Sequence, residues 1–355
     1  MPSAPPNGYA TRSIAHATSA GSHVKPKVLV MDPIQLAKSV EYELEAKYQL
    51  VSFDSKNRDE FVRDCRDKYD GVKALYRHFK GASTKVTGLF DEELVEALPR
   101  SLEFIAHNGA GYDQIDVSCC TSRRIQVSNV PVAVDDATAD TALFLLLGAL
   151  RQFGLAQRSL YAGRFNVGLD LSHDPKGKVV GIVGMGGIGR AFATRCRSLG
   201  MQVQYHNRNR LSSELEDGAR YVDSLDELLR ESDVVSLNLP LNNNTRGLIG
   251  RREFELMPRH AVLINTARGG VVKERELVEA LEAGEIAGCG LDVYEDEPRI
   301  DEGLLKSDKA FLLPHVGTLT VETQREMEAV CLRNIESGIE TGKFKFTVPE
   351  QHGHF

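Results

Sequence analysis

The segment that most constrains the fold combines a strand, a glycine turn, a helix and a second strand within about 30 residues. The run Val179–Val183 is typical of a buried strand, residues 190–199 favour a helix, and residues 202–205 favour a second strand. Two strands joined by a helix over so short a stretch lie parallel, with a right-handed crossover. The segment therefore predicts an α/β fold built around a parallel sheet.

The glycine turn in this unit has the form G-x-G-x-x-G and is made by Gly184, Gly186 and Gly189. Glycines at these positions permit a tight turn, a close approach of a pyrophosphate to the backbone, and close packing of the helix on the strand. The helix also presents its positive end to the phosphates. Glycine-rich turns also occur for purely steric reasons, but the strand-turn-helix setting favours a dinucleotide-binding site.

The end of the next strand indicates which dinucleotide is bound. An NAD site normally places an acid about 20 residues beyond the glycine turn, where it binds the ribose hydroxyls. This chain has Asn207 there, followed by Arg208 and Arg210, whose guanidinium groups can bind the 2′-phosphate of NADP. The alternative is a solvated basic turn with no role in cofactor binding, because arginines are common in surface loops. NADP is the expected cofactor, with NAD as the alternative.

The length of 355 residues predicts two compact domains rather than one. Strand-like and helix-like segments alternate in both, and Asp135–Leu150 has the acidic first turn and the dense apolar body of a buried helix. The expected fold class is α/β, with two parallel-sheet domains. Further strands are predicted at residues 27–31, 102–106, 234–239, 261–265 and 288–293, and further helices at residues 92–98, 274–282 and 321–339.

Three polar side chains that follow predicted strands could together reduce a carbonyl group. Arg268 can grip a carboxylate or ketone oxygen through paired hydrogen bonds, His315 can donate a proton, and the Glu297 carboxylate can keep that imidazole protonated. Each alone could be structural, as an ion-pair partner, a surface acid or a loop histidine. Their common place at the ligand-binding edge of an α/β sheet favours joint catalysis on a 2-oxo acid.

Composition argues against several other functions. The chain has 43 Lys and Arg against 50 Asp and Glu, a formal net charge of −7 and no long basic block, so nucleic-acid or membrane-surface binding is not expected. Its apolar stretches are shorter than the about 20 residues that a membrane-spanning helix needs. The six cysteines lack any metal-ligand spacing, so no metal site is predicted and a reduced compartment is expected.

Residues 1–25 are rich in Ser, Ala, Pro and Gly and contain no acid, so we expect a disordered extension. An acid-poor, Ser-rich start also occurs in mitochondrial transit peptides. Early prolines and the single arginine, Arg12, disfavour the amphipathic helix that such a peptide forms. The expected location is therefore the cytoplasm.

Five motifs in matching order resemble those of the D-isomer-specific 2-hydroxyacid dehydrogenase family, and the likeness runs from residue 26 to residue 340. The motifs lie at residues 184–189, 239–249, 264–272, 290–298 and 314–317. Family members fold as two Rossmann-like or flavodoxin-like parallel-sheet domains. The resemblance implies a cofactor domain, residues 130–316, inserted into a substrate domain made of residues 26–129 and 317–355.

The resemblance also implies roles for the site residues. Arg268 would orient the 2-oxo acid, His315 would protonate its carbonyl oxygen as hydride arrives, and Glu297 would keep the histidine charged. The backbone amides of Ala110 and Gly111 would receive the substrate carboxylate. The resemblance places the pyrophosphate at Gly187 and Ile188, the adenosine at Asn207, Arg208, Leu239, Pro240 and Thr245, and the nicotinamide at Thr266, Ala267 and Asp292. Separately from the resemblance, His107 is a candidate pocket residue because it precedes the Gly-Ala-Gly loop.

The resemblance does not decide which substrate is used, because two branches of the family are compatible with the sequence. Members often carry a tryptophan ahead of the glycine turn, but this chain has none, and residues 164–176 resemble the fungal D-mandelate dehydrogenase branch more than the glyoxylate and hydroxypyruvate reductase branch. Members commonly pair through the cofactor domain, so a homodimer is expected. The alternative function is a non-catalytic NAD(P)-sensing dimer, similar to the transcriptional corepressors that resemble this family.

Overall fold

The computed structural model describes residues 25–355, so the predicted N-terminal extension lies outside the described residues except for Lys25. The strands are β1 (Lys27–Val30), β2 (Gln49–Ser52), β3 (Val72–His78), β4 (Phe104–Asn108), β5 (Gln126–Ser128), β6 (Val179–Val183), β7 (Gln202–His206), β8 (Arg220–Tyr221), β9 (Val234–Leu237), β10 (Val262–Asn265), β11 (Gly288–Leu291) and β12 (Ala310–Leu312). They form two sheets, and the paired strands are parallel throughout.

Helices cover both faces of these sheets, which is why the strands are apolar almost throughout. The α-helices are α1 (Lys38–Lys47), α2 (Arg58–Asp64), α3 (Ala82–Thr87), α4 (Glu92–Ala97), α5 (Val117–Ser122), α6 (Asp135–Leu150), α7 (Phe153–Tyr161), α8 (Gly187–Ser198), α9 (Ser213–Glu216), α10 (Leu225–Glu231), α11 (Arg251–Leu256), α12 (Glu274–Ala283), α13 (Glu302–Lys306) and α14 (Val321–Thr341). Short 3-10 turns lie at Gly269–Val271 and Pro349–Gln351.

The first sheet has the strand order β2-β1-β3-β4-β5, which is the order of a flavodoxin-like fold. The C-terminal helix α14 packs on β3 and β4 of this sheet. Its buried Glu328 carboxylate accepts hydrogen bonds from the amides of Gln35 at 2.9 Å and of Leu36 and Ala37 at 2.8 Å each. The chain therefore returns to the first unit after completing the second sheet.

The second sheet has the order β12-β11-β10-β9-β6-β7-β8, in which β6, the first of its strands along the chain, lies inside the sheet where the strand order reverses, as in a Rossmann fold. Helix α6 has the predicted bounds and packs against β10, β11 and α8. Helix α8 begins at Gly187 rather than at the predicted residue 190. The sequence-based prediction started this helix too late, because glycine has a low helix propensity and the first turn of the helix contains two glycines.

The predicted α/β fold with two parallel sheets is confirmed. All strands of the second sheet lie between β5 and α14 in the chain, so this sheet is inserted into the first unit. The predicted domain limits, residues 26–129 with 317–355 and residues 130–316, stay predictions. Across the described part of the chain no single helix is long and apolar enough to cross a membrane; α6 and α7 pass such a test only as a pair bent by 70°.

Candidate active site

A cavity of about 180 Å³ lies where loops from both sheets meet. The first unit contributes the segments that follow β3 and β4 together with part of α14, and the second unit contributes the loops that follow β9, β10, β11 and β12. Parallel strands bring their carboxyl ends to one edge, which explains why residues distant in sequence meet here. The predicted site residues that line this cavity are Ala110, Gly111, Ile188, Leu239, Pro240, Thr266, Ala267, Arg268, Asp292 and His315.

The third predicted catalytic residue, Glu297, lies directly behind His315. The Nδ1 atom of His315 donates to both carboxylate oxygens of Glu297, at 2.9 and 2.8 Å. Because a carboxylate only accepts, the hydrogen lies on Nδ1, and within residues 25–355 the Nε2 atom has no hydrogen-bond partner. Burial acts to raise the pKa of Glu297, but the hydrogen bond to His315 and its charge outweigh burial, so this pKa lies below its ordinary value of 4.5.

The backbone of His315 has a left-handed conformation, with φ of +56°, which is uncommon for a residue other than glycine. The two following amides hold it in place: Val316 and Gly317 donate to the carboxylate of Asp292 at 2.7 and 2.8 Å. Asp292 is 1% exposed. Burial raises its pKa, and the two amide hydrogen bonds offset part of that rise. Asp292 therefore fixes the histidine loop as well as lining the cavity.

Arg268 packs against the loop between β4 and α5. Its Nε donates to Asp113 at 2.8 Å, and its Nη1 donates to the carbonyl of Ala267 at 2.9 Å. A Cβ atom added to Gly111 would lie 2.1 Å from Nη2 of Arg268, so only glycine permits this approach. Arg268, Ala110 and Gly111 consequently lie side by side in the wall of this cavity.

His107, which the sequence offered as a candidate pocket residue, does not line the cavity. It is fully buried on β4, and its Nε2 donates to the carbonyl of Gly111 at 2.9 Å. Burial, together with the nearby Arg77 charge, lowers the pKa of His107 well below its ordinary value. The histidine therefore supports the Gly-Ala-Gly loop from behind, a position that its place before the loop could not distinguish from the pocket itself.

A second cavity, of about 660 Å³, opens at the glycine turn and shares Asn238, Leu239 and Pro240 with the first. Gly184 has φ of +98°, which a side chain would strain, and the space next to Gly186 is open. Gly187 and Gly189 lie in the first turn of α8 and do not line the cavity. The predicted residues that do line it are Gly184, Gly186, Asn207, Arg208, Leu239, Pro240 and Thr245.

This pair of cavities suits a dinucleotide. A helix N-terminus faces the larger cavity, and two buried oxygens among the lining residues, Oγ1 of Thr266 and Oδ1 of Asn238, have no hydrogen-bond partner among the described residues. Unpaired buried polar atoms are costly unless a ligand or water meets them. The fold and site thus define a dinucleotide-binding protein. The smaller cavity beside the dinucleotide cavity, lined by Arg268 and His315, is the reaction cavity.

The two arginines after β7, Arg208 and Arg210, have different surroundings. Arg208 lines the larger cavity, and Asn207 accepts a hydrogen bond from the Met185 amide at 2.7 Å. Arg210 does not line it, because its guanidinium is paired with Glu216 through contacts of 2.7 and 3.1 Å. Arg190 of α8 lines the cavity instead, and among the described lining residues none is acidic.

Sequence reasoning missed several residues of the site. Phe79 lines the reaction cavity, and its ring centroid lies 5.5 Å from that of His315. Asp113 holds Arg268, and Lys80 contacts the loop of His315. Phe79 and Lys80 directly follow β3, so the rule that ligands bind at the carboxyl ends of parallel strands could have singled them out.

Comparison with known proteins agrees with the motifs. The family model described as D-isomer specific 2-hydroxyacid dehydrogenase, NAD binding domain, matches residues 143–317. The chain is 50% identical to 4-methyl-2-oxopentanoate reductase A of Aspergillus oryzae over 93% of this chain and all of that protein. It is 49% identical to a glyoxylate reductase structure from Paecilomyes thermophila, with a TM-score of 0.89 over 92% of this chain and 99% of the other.

A more distant neighbour is the holo form of D-mandelate dehydrogenase from Rhodotorula graminis, which is 30% identical, with a TM-score of 0.87 over 92% of this chain and 98% of the other. The likeness to these proteins extends over nearly the whole described chain. The chain belongs to the D-isomer specific 2-hydroxyacid dehydrogenase family. It is therefore an oxidoreductase with an NAD-binding domain, and the resemblance inferred from the motifs is confirmed.

Proposed function

We propose that this enzyme reduces a 2-oxo acid to the D-2-hydroxy acid with a proton from His315, and that it prefers NADPH to NADH. One observation carries the proposal. His315, which is hydrogen-bonded to Glu297 behind it, lines one small cavity together with Arg268, Ala110 and Gly111, and this cavity adjoins that of the glycine turn. This arrangement allows a proton donor and a carboxylate-binding group to act on the same substrate molecule.

The carboxylate of the substrate would bind between Arg268 and the amides of Ala110 and Gly111. A guanidinium gives two parallel charge-assisted hydrogen bonds to a carboxylate, which fixes its orientation as well as its position. Asp113 holds Nε of Arg268, so the side chain is positioned before the substrate arrives. This preorganisation favours productive binding of the 2-oxo acid.

The carbonyl oxygen of the substrate would then lie beside Nε2 of His315, which donates the proton that the new hydroxyl needs. Glu297 accepts from Nδ1 at 2.8 and 2.9 Å, which orients the ring and stabilises its charged form. Thr266, Ala267 and Asp292 would hold the nicotinamide, which would supply the hydride that the carbonyl carbon gains. One hydride and one proton complete the reduction.

The wall of this cavity supports a substrate with an apolar side chain. Its wall includes Phe79, Tyr112 and Met327, beside the catalytic groups that bind the 2-oxo acid head. The relatives carry names that refer to 4-methyl-2-oxopentanoate, glyoxylate and D-mandelate. We therefore propose that branched or aromatic 2-oxo acids, such as 4-methyl-2-oxopentanoate, are preferred to glyoxylate.

The preference for NADPH is proposed on the charge of the larger cavity. Arg208 and Arg190 both line it, and the neutral Asn207 stands where an acid would repel a 2′-phosphate. Arg210, which the sequence also suggested as a phosphate ligand, is engaged by Glu216. The proposal for phosphate recognition therefore rests on Arg208, with Arg190 as a second cation.

We also propose that the enzyme is a cytoplasmic homodimer. A series of apolar side chains from α6, α7 and the following loop is exposed, and Leu171 is 98% exposed. Such a surface is costly in water, and covering it with a second copy is consistent with the pairing expected from the family. The exposed apolar residues of this stretch are Phe144, Phe153, Leu160, Tyr161, Phe165, Val167 and Leu171. All six cysteines are free thiols, which suits a reducing compartment.

The central test is turnover of NADPH and NADH with 4-methyl-2-oxopentanoate, phenylglyoxylate, hydroxypyruvate and glyoxylate. His315→Ala should lower kcat by roughly 100-fold to 10,000-fold, because the proton donor is lost, while NADPH binding measured by fluorescence is retained. His173→Ala, at an exposed loop histidine, is the matched control and should leave kcat unchanged. Absence of turnover with every pair would refute the proposed reaction, and full activity of His315→Ala would refute the proton-donor role.

The two arginines after β7 give a matched pair of variants for cofactor choice. Arg208→Ala should raise KM for NADPH about 10-fold to 100-fold with little effect on NADH, because a charge-assisted contact to the 2′-phosphate is lost. Arg210→Ala should leave the NADPH/NADH ratio of kcat/KM close to that of the parent, since Glu216 already occupies its guanidinium. The opposite ranking of the two variants would contradict this account.

Association can be tested with the double variant Phe165→Asp with Leu171→Asp, measured by light scattering after size-exclusion chromatography. Two charges on the proposed contact surface should convert the dimer into a monomer. Tyr42→Asp changes a similarly exposed aromatic residue on α1 and should leave the dimer intact. A monomeric parent protein, or a double variant that stays dimeric, would contradict the proposed surface.

A further inference from the structure

Lys80, in the loop that follows β3 of the first unit, contacts two residues of the second unit. Its Nζ donates to the backbone carbonyl of His315 at 3.0 Å and lies 3.9 Å from Oε2 of Glu297. Its side chain is 38% exposed, so the ammonium is neither buried nor fully in solvent. The same lysine of the first unit therefore contacts both members of the His315–Glu297 pair, which belongs to the second unit.

The position of Lys80 is fixed by its neighbours on β3. Its backbone amide donates to Nδ1 of His78 at 3.0 Å, and Nζ lies 5.8 Å from the ring centroid of Phe79. Phe79 in turn packs on the ring of His315, with 5.5 Å between the centroids. These contacts direct the ammonium toward the histidine loop rather than into solvent.

Charged groups from several elements surround this ammonium. Glu297 and Asp292 come from the loop after β11, Arg268 from the loop after β10, and His78 from the end of β3. Burial lowers the pKa of Lys80, the two carboxylates act in the opposite direction, and Arg268 adds to the lowering. Lys80 also contributes to the lowered pKa of Glu297. The Glu297 carboxylate is thus shared between an imidazole and an ammonium.

We propose that Lys80 is a positioning residue that fixes the backbone of His315, shares the Glu297 carboxylate with its ring, and thereby sets the upper pH limit of 2-oxo acid reduction. The inference rests on the proposed role of His315 as proton donor. A cation near an imidazole disfavours the charged ring, and so does competition for its carboxylate partner. Both effects would be absent without the Lys80 ammonium.

The direction of the pH effect follows from these charges. Reduction requires the protonated ring, so kcat/KM falls on the alkaline side as that proton is lost. Replacing Lys80 by an uncharged residue removes the opposing cation and leaves Glu297 to His315 alone. The protonated ring then persists to higher pH, and the alkaline limb of the profile moves upward.

The test compares the pH profile of kcat/KM for the parent enzyme with those of Lys80→Met and Lys80→Arg. In Lys80→Met the midpoint of the alkaline limb should rise by roughly half a pH unit to one unit. Its kcat at neutral pH should fall about 3-fold to 10-fold, because the hydrogen bond to the His315 carbonyl is lost. Lys80→Arg keeps the charge and should restore the parent midpoint, whereas KM for NADPH should change in neither variant.

Lys73→Met is the matched control. Lys73 lies at the other end of β3, is 41% exposed, and is also paired with a carboxylate, that of Glu103. Its replacement should leave the midpoint unchanged. A lower kcat in Lys80→Met with an unmoved midpoint would reduce Lys80 to a structural residue and overturn the inference.

A measurement without turnover separates this inference from the proposed reaction. The ring protons of His315 can be followed by NMR through a pH titration, and in Lys80→Met their midpoint should move upward by a similar amount. An unchanged titration would overturn the role of Lys80 even if the enzyme is active. A moved titration in an enzyme that reduces no 2-oxo acid would instead refute the proposed function.

Discussion

The site depends on how the backbone of one histidine is held in a left-handed conformation. The buried carboxylate of Asp292 accepts hydrogen bonds from the amides of Val316 and Gly317 at 2.7 and 2.8 Å. These two hydrogen bonds fix the backbone that carries His315. A non-glycine residue with φ of +56° persists only where the surroundings fix it. Glu297 then fixes the ring itself. Backbone and side chain are thus constrained by two different carboxylates, one buried and one partly exposed.

That constraint has consequences on the other side of the cavity. A proton donor in one place is useful only if the substrate is held in one orientation, and in the proposed reaction Arg268 of the second unit and the Gly111 loop of the first unit would hold it. The close approach of Arg268 to Gly111 leaves no room for a Cβ atom. The loop is supported from behind by His107, which donates to the Gly111 carbonyl. The candidate site therefore draws on both units: Arg268, Glu297 and His315 come from the second unit, whereas the Gly111 loop and Asp113, which holds Arg268, come from the first.

The sequence predicts the fold well because strand, glycine turn and helix follow one another locally. β6 and α6 have the predicted bounds, and the two parallel sheets follow from alternating strands and helices. Motif spacing likewise identified residues that the structure brings into one cavity, while their catalytic roles stay predictions. The failures concern contacts between segments. The pairing of Arg210 with Glu216, the burial of His107 behind the loop and the contact of Lys80 with the His315 carbonyl depend on tertiary packing, which no local pattern encodes.

The most direct test of the account is a crystal structure of the enzyme with NADP and oxamate, an unreactive analogue of a 2-oxo acid. We expect the oxamate carboxylate to bind Arg268 and the amides of Ala110 and Gly111, with its carbonyl oxygen within hydrogen-bonding distance of Nε2 of His315. Oxamate bound with that oxygen turned away from His315, or outside this cavity, would contradict the proposed chemistry.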